Sequence, residues 1–182
     1  MEVLQDRREL SFSLQIILQN IPILKKVIEI GIYKGGTLRL WQTISAPDSI
    51  LIGVDVHDFT GGRFSNAKNV SLIFGRSDAP GVITKVKSIV GDNVDLLFID
   101  GDHSYQVVKS DYDNYGSLVR PGGLIIFHDT QRSAGSSPLA PKGCYVKKFW
   151  RELIDMNVVK EYYEFCFNAN LPQQMGTGII VK

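Results

Sequence analysis

Cysteine is scarce in this chain of 182 residues: the two present, Cys144 and Cys166, can build neither a disulfide framework nor a cysteine-type zinc site. An excess of one charge is lacking too. Twenty Lys and Arg against 19 Asp and Glu leave a net charge of +1, which excludes the clustered positive excess of a broad nucleic-acid footprint. No apolar run approaches the roughly 18 residues of a membrane span. The opening Met-Glu-Val-Leu-Gln-Asp-Arg-Arg leads into no basic flank, apolar stretch and small-residue cleavage site of a secretion signal. The expectation is a cytoplasmic protein that engages neither nucleic acid nor membrane. What is present suits a packed core, with 44% hydrophobic and 21% charged residues. The length suits a single domain over 1–182, with a helical arm at 1–24.

Apolar runs of strand length recur at Lys26–Ile30, Ile50–Asp55, Val70–Phe74, Val94–Asp100 and Leu124–Phe127. Near-continuous Val, Ile and Leu of this kind fits strands of a parallel sheet covered on both faces. Helical spacing fills the gaps, over Thr37–Ile44, Pro80–Val90 and Tyr105–Val119, with Arg120-Pro121-Gly122-Gly123 ending the last. Leu10–Leu24 reads as a packing helix running into the first strand. The alternation predicts an α/β, doubly wound, mostly parallel sheet. It breaks at the end, where Val158–Phe167 and Gly178–Lys182 read as two strands without a helix between them, an antiparallel hairpin on the sheet edge. Gln131–Gly143, rich in Gly, Ser and Pro directly after the fifth strand, is either a plain connection or a lid over a site.

Ligands of open α/β sheets sit outside the carboxyl ends of the strands. All three histidines, His57, His103 and His128, fall at such ends. The first strand ends in Glu29-Ile30-Gly31 with Gly35-Gly36 following, a turn that allows backbone N–H groups to approach a ligand. It is not the G-x-G-x-x-G dinucleotide fingerprint, and the acid at Glu29 suits a ligand carrying an ammonium. Asp55, closing the second strand, is placed to accept hydrogen bonds from the ribose of an adenosine, whether of a nicotinamide or a sulfonium cofactor. At the ends of the fourth and fifth strands, Asp100, Asp102, His103, His128 and Asp129 can hold a divalent cation or supply a base, Mg²⁺ or Mn²⁺ being favoured by oxygen ligands. Asp102 is the one best read as a helix cap.

Val27–Gly36 (VIEIGIYKGG) and Val94–Asp129 (VDLLFIDGDHSYQVVKSDYDNYGSLVRPGGLIIFHD) together closely resemble class I SAM-dependent methyltransferases, where SAM is S-adenosyl-L-methionine. The resemblance is to the small family that includes cephalosporin-hydroxylase-like and macrolide-sugar O-methyltransferases. It implies a Rossmann-like, seven-stranded sheet with an antiparallel seventh strand. Glu29, Gly31 and Gly35 match the motif that wraps the methionine of SAM, Asp55 the ribose acid, and Ser77 the element near the adenine, although Arg76 replaces the usual acid there. Asp100 matches a metal-ligand aspartate and His103 a general base. Asp129 belongs to a second acidic pair whose first member here is His128, a candidate third ligand.

The resulting expectation is metal-assisted O-methylation of a small molecule or sugar. Asp100, His128 and Asp129 hold the metal, Asp100 also meets the cofactor, and His103 takes the proton. A non-catalytic SAM-fold binding or scaffold protein is the main rival, opposed by the row of acids and histidines. A nicotinamide-dependent oxidoreductase is opposed by the missing fingerprint. The aromatic Tyr162-Tyr163-Glu164-Phe165, read as an edge strand, offers a homodimer interface.

Overall fold

In chain order the elements are α1 (Arg7–Asn20), β1 (Leu24–Ile30), α2 (Gly36–Ile44), β2 (Ser45–Asp55), β3 (Val70–Phe74), α3 (Pro80–Val90), β4 (Val94–Ile99), α4 (Tyr105–Tyr115), a 3-10 turn (Gly116–Leu118), β5 (Val119–His128), α5 (Val146–Asp155), β6 (Glu161–Phe165) and β7 (Thr177–Val181). These come from a computed structural model that describes residues 5–132, 143–167 and 175–182. The strands form one sheet in the order β3-β2-β1-β4-β5-β7-β6. β1 to β5 pair in parallel, and β7 runs antiparallel between β5 and β6. The order reverses between β1 and β4, so the strand ends open a crevice there.

Every position of β4, Val-Asp-Leu-Leu-Phe-Ile, is buried, as a strand covered on both faces requires. Alternate side chains sort into two layers. Ile28, Ile52, Leu97, Ile125 and Phe127 pack with α3, α4 and α5, while Val27, Leu51, Leu96, Leu124 and Ile126 pack with α1 and α2. Glu29 falls on the second face, beneath α2.

The α/β fold and the terminal hairpin match the reading of the sequence, with adjustments at the ends. The first helix stops at Asn20 rather than Leu24, because Pro22 pushes Ile21 into an extended conformation (φ −132°, ψ 92°). The fourth helix stops at Tyr115; Val119 to Gly123 already belong to β5, where Val94 and Lys182 claim their backbone. α5 is an element the sequence reading did not name. Its Val146, Phe149, Trp150 and Leu153 recur at helical spacing and are buried, but the Gly/Ser/Pro run before them reads as loop. Of the expected lid at 131–143, residues 133–142 lie outside the described residues, as does 1–4 of the arm.

Candidate active site

Backbone hydrogen bonds clamp the strand ends together: Gly31 N to Val54 O, Gly75 N to Asp55 O and Asp100 N to Ile30 O, all at 2.8 Å. They leave no room beside the first turn. Gly31 has φ +84°, and a Cβ there would sit 2.1 Å from the Asp100 carbonyl oxygen. Only glycine fits. Gly35 (φ +73°) caps α2, and a Cβ on it would meet the Phe64 ring at 2.4 Å. Tyr33 lies between them at φ +46°, and its N–H donates to Asp55 Oδ2 at 2.8 Å. That bond fixes the turn against the end of β2.

A cavity of about 410 Å³ opens at these ends. Gly31, Asp55, Ser77, Asp100, His103, His128 and Asp129 all line it, joined by Gln5, Tyr33, Thr37, Phe59 and Arg132. Glu29 and Gly35 do not reach its wall. Glu29 is 1% exposed, its Oε2 has no hydrogen-bond partner, and burial together with the charge of Asp100 raises its pKa well above the carboxylate range. His57 stays on the surface, edge-on to Phe59. Arg76, the departure from the family pattern, pairs with Asp78 at 2.7 Å, so an acid is present two residues later.

On the other wall the polar groups close on one another. His128 Nδ1 lies 3.1 Å from Asp100 Oδ1, and His103 Nε2 lies 2.9 Å from Asp129 Oδ2 and 3.6 Å from Asp100 Oδ1. Arg132 Nη1 approaches Asp129 Oδ2 at 3.3 Å. Asp129 adopts φ +64°, a left-handed conformation rare for a non-glycine residue, which turns its carboxylate back toward β4. Burial works against charge on His103, yet Asp100 and Asp129 raise its pKa to about 10. His128 rises to about 9, where Asp100 outweighs the same burial. Asp100 falls below its ordinary range despite burial, because His128 and His103 face it.

A cation fits here by donor chemistry. Asp100, His103 and Asp129 each offer a ligand atom, and these atoms lie within 4.8 Å of one another; Asp129 Oδ1 is buried without a hydrogen-bond partner. Two carboxylates favour Mg²⁺ or Mn²⁺, and an imidazole beside them shifts the preference toward Mn, Fe or Zn. The compact set contains His103, whereas His128 turns its Nδ1 onto Asp100 and leaves Nε2 buried and unpartnered. The cap position of α4 is held by Ser104 and not by Asp102, which instead accepts from the Ser104 N–H in the turn ahead of the helix.

Residues 28–130, more than half of the chain, match a family described as a methyltransferase domain. The chain belongs to that family. It is 32% identical over 123 residues to an uncharacterized protein of Acanthamoeba polyphaga mimivirus, covering 63% of this chain and 55% of that protein. It is 27% identical over 111 residues to the demethylmacrocin O-methyltransferase of Streptomyces fradiae, covering 57% of this chain and 27% of that enzyme. The chain therefore spans about half or less of the length of these curated relatives. Its fold is similar to that of the O-methyltransferase from Bacillus cereus solved with SAH, S-adenosylhomocysteine (TM-score 0.73, 16% identity, 99% of this chain and 83% of that one). It is also similar to MycE, the methyltransferase of mycinamycin biosynthesis solved with Mg and SAH (TM-score 0.66, 19% identity, 93% and 48%). This is the class I SAM-dependent methyltransferase fold. Among the described residues no helix is long and apolar enough to cross a membrane.

The sequence reading missed Gln5, Thr37 and Arg132 on the cavity wall. Gln5 arrives from an element remote in sequence, whereas Thr37 directly follows the Gly35-Gly36 turn and Arg132 stands three residues after Asp129, so position along the chain could have found those two.

Proposed function

We propose that the chain transfers the methyl group of SAM to a hydroxyl of a small molecule or sugar. The observation that carries this is one cavity with two differently equipped walls: a glycine turn with Asp55 and Ser77 on one side, and Asp100, His103, His128 and Asp129 on the other. In this reading Asp55 serves the ribose hydroxyls and Ser77 the adenine end, which would turn the sulfonium methyl toward the acidic wall. The relatives whose names include O-methyltransferase support oxygen as the acceptor atom.

Methyl transfer from a sulfonium is an in-line displacement, so the protein's work is to align the acceptor oxygen and remove its proton. Asp100 and Asp129, with His128 beside them, are the groups that would hold a divalent cation, and such a cation would supply the positive charge that lowers an acceptor hydroxyl's pKa while leaving His103 unligated. His103 is the proton acceptor in this reading. Between two free carboxylates its pKa of about 10 keeps it protonated at neutral pH. It becomes a base when Asp100 and Asp129 are engaged otherwise, which links metal occupancy to general-base competence. Arg132 steadies Asp129 from the far side.

Calorimetric titration with SAH, with and without Mg²⁺, Mn²⁺ and a chelator, tests the reading, with NADH as the control. Micromolar SAH binding and no NADH binding are expected. Absence of SAH binding under every condition would sink the proposal and favour a scaffold role.

A further inference from the structure

Gln5, two residues ahead of α1, reaches into the cavity. Gln5 Nε2 donates to Asp100 Oδ2 at 2.6 Å, and Gln5 Oε1 accepts from Thr37 Oγ1 at 3.0 Å. One carboxamide thus spans β4 and α2, two elements separated by most of the first half of the chain. Its N–H₂ faces a carboxylate and its oxygen faces a hydroxyl donor. The α-amino acid end of SAM or SAH presents the same two functions in the same sense: an ammonium that donates, and a carboxylate that accepts. Both have the charge that each wall group prefers, which the neutral amide lacks.

Resting on the cofactor assignment above, we infer that Gln5 is a built-in substitute for the amino-acid end of the cofactor, and that cofactor binding displaces its side chain. The anchoring agrees with a side-chain strap that can lift. Behind it, α1 is fixed by the buried Ile16 and Ile17. The helix is capped independently by Asp6, whose carboxylate accepts the Arg8 N–H at 2.8 Å. Releasing Gln5 therefore breaks two side-chain hydrogen bonds and leaves the helix and its cap in place. A charged ligand end outcompetes the amide because hydrogen bonds between ionised partners are the stronger kind.

The test compares SAH with 5′-methylthioadenosine, which carries the adenosine and sulfur but no amino-acid end. Calorimetry on the full chain and on Gln5→Ala is expected to show SAH binding roughly two- to tenfold tighter in the variant, the effect of removing one or two competing hydrogen bonds. Methylthioadenosine should bind both proteins alike. Gln5→Lys, which sets a cation against Asp100, should weaken SAH and leave methylthioadenosine little changed. In the unaltered chain, hydrogen exchange of the Gln5 side-chain amide, followed by NMR, should quicken when SAH is added. Equal or weaker SAH binding by Gln5→Ala overturns the strap, as does an equal gain for both ligands, which would mean that the alanine only widens the cavity. Unchanged or slowed exchange on adding SAH overturns it too. If neither ligand binds any of the proteins, the cofactor assignment falls first and the strap with it.

Discussion

On the β1–β2 wall of the cavity the backbone dominates. Gly31 is locked against the Asp100 carbonyl, Tyr33 holds a positive φ, and Asp55 pins the turn by accepting the Tyr33 N–H. On the β4–β5 wall the backbone matters less than charge. Two imidazoles share two carboxylates, and buried atoms such as Asp129 Oδ1 and His128 Nε2 are left without hydrogen-bond partners. The first wall is shaped to receive a ligand of fixed outline. The second holds charges whose balance changes with whatever binds there. The difference teaches that recognition and chemistry can be separated within a single crevice: sterics fix one, electrostatics tune the other.

The comparison breaks most visibly at Gly31. Gly31→Ala places a methyl inside the Asp100 backbone at a φ that alanine resists, so unfolding by denaturant should show a loss of roughly 3 kcal/mol or more. Asp55→Ala probes the same wall through its ligand. SAH should bind about ten- to a hundredfold more weakly by calorimetry, with a much smaller change in stability than Gly31→Ala causes.

The opposite wall should answer to pH instead. His103 and His128 titrate near 10 and 9 in the folded chain against about 6.5 when unfolded. Their contribution to stability is therefore complete below about pH 6.5 and is lost as pH rises through 9 to 10. Denaturation midpoints across pH 6 to 10 should fall, and Asp100→Asn should flatten the fall. Adding Mg²⁺ should move the His103 titration, followed by NMR of the ring protons, to lower pH. An unmoved titration would remove the cation from this wall.

The smallest effect concerns Asp111, a fully buried acid of α4 whose two oxygens lack partners. Burial raises its pKa to about 7. A carboxyl raised on folding contributes most below its unfolded pKa, and that contribution is lost as pH climbs through the folded one. Asp111→Asn should therefore stabilise the chain by about 1–2 kcal/mol at pH 8, and the gain should vanish near pH 3.

The apolar runs and the acids and histidines at their ends are local features, and they determined the α/β alternation, the terminal hairpin and the zone in which a site would form. A parallel strand buried on both faces leaves polar residues nowhere to go but its ends, so this much is legible in a linear text. Which of those residues meet was decided by the tertiary structure. Strand order brought β1, β2, β4 and β5 together and left His57 on the surface while His103 and His128 converged on Asp100. The face of β1 on which Glu29 lies put it under α2 instead of in the cavity. Gln5 reached the site from a distant element without any sequence signal, and there it meets Thr37 from the helix directly behind the glycine turn. Hydrogen bonds and charge act over a few ångströms of space, while periodicity and spacing describe only the chain, and contacts between residues remote in sequence exist in the first measure alone.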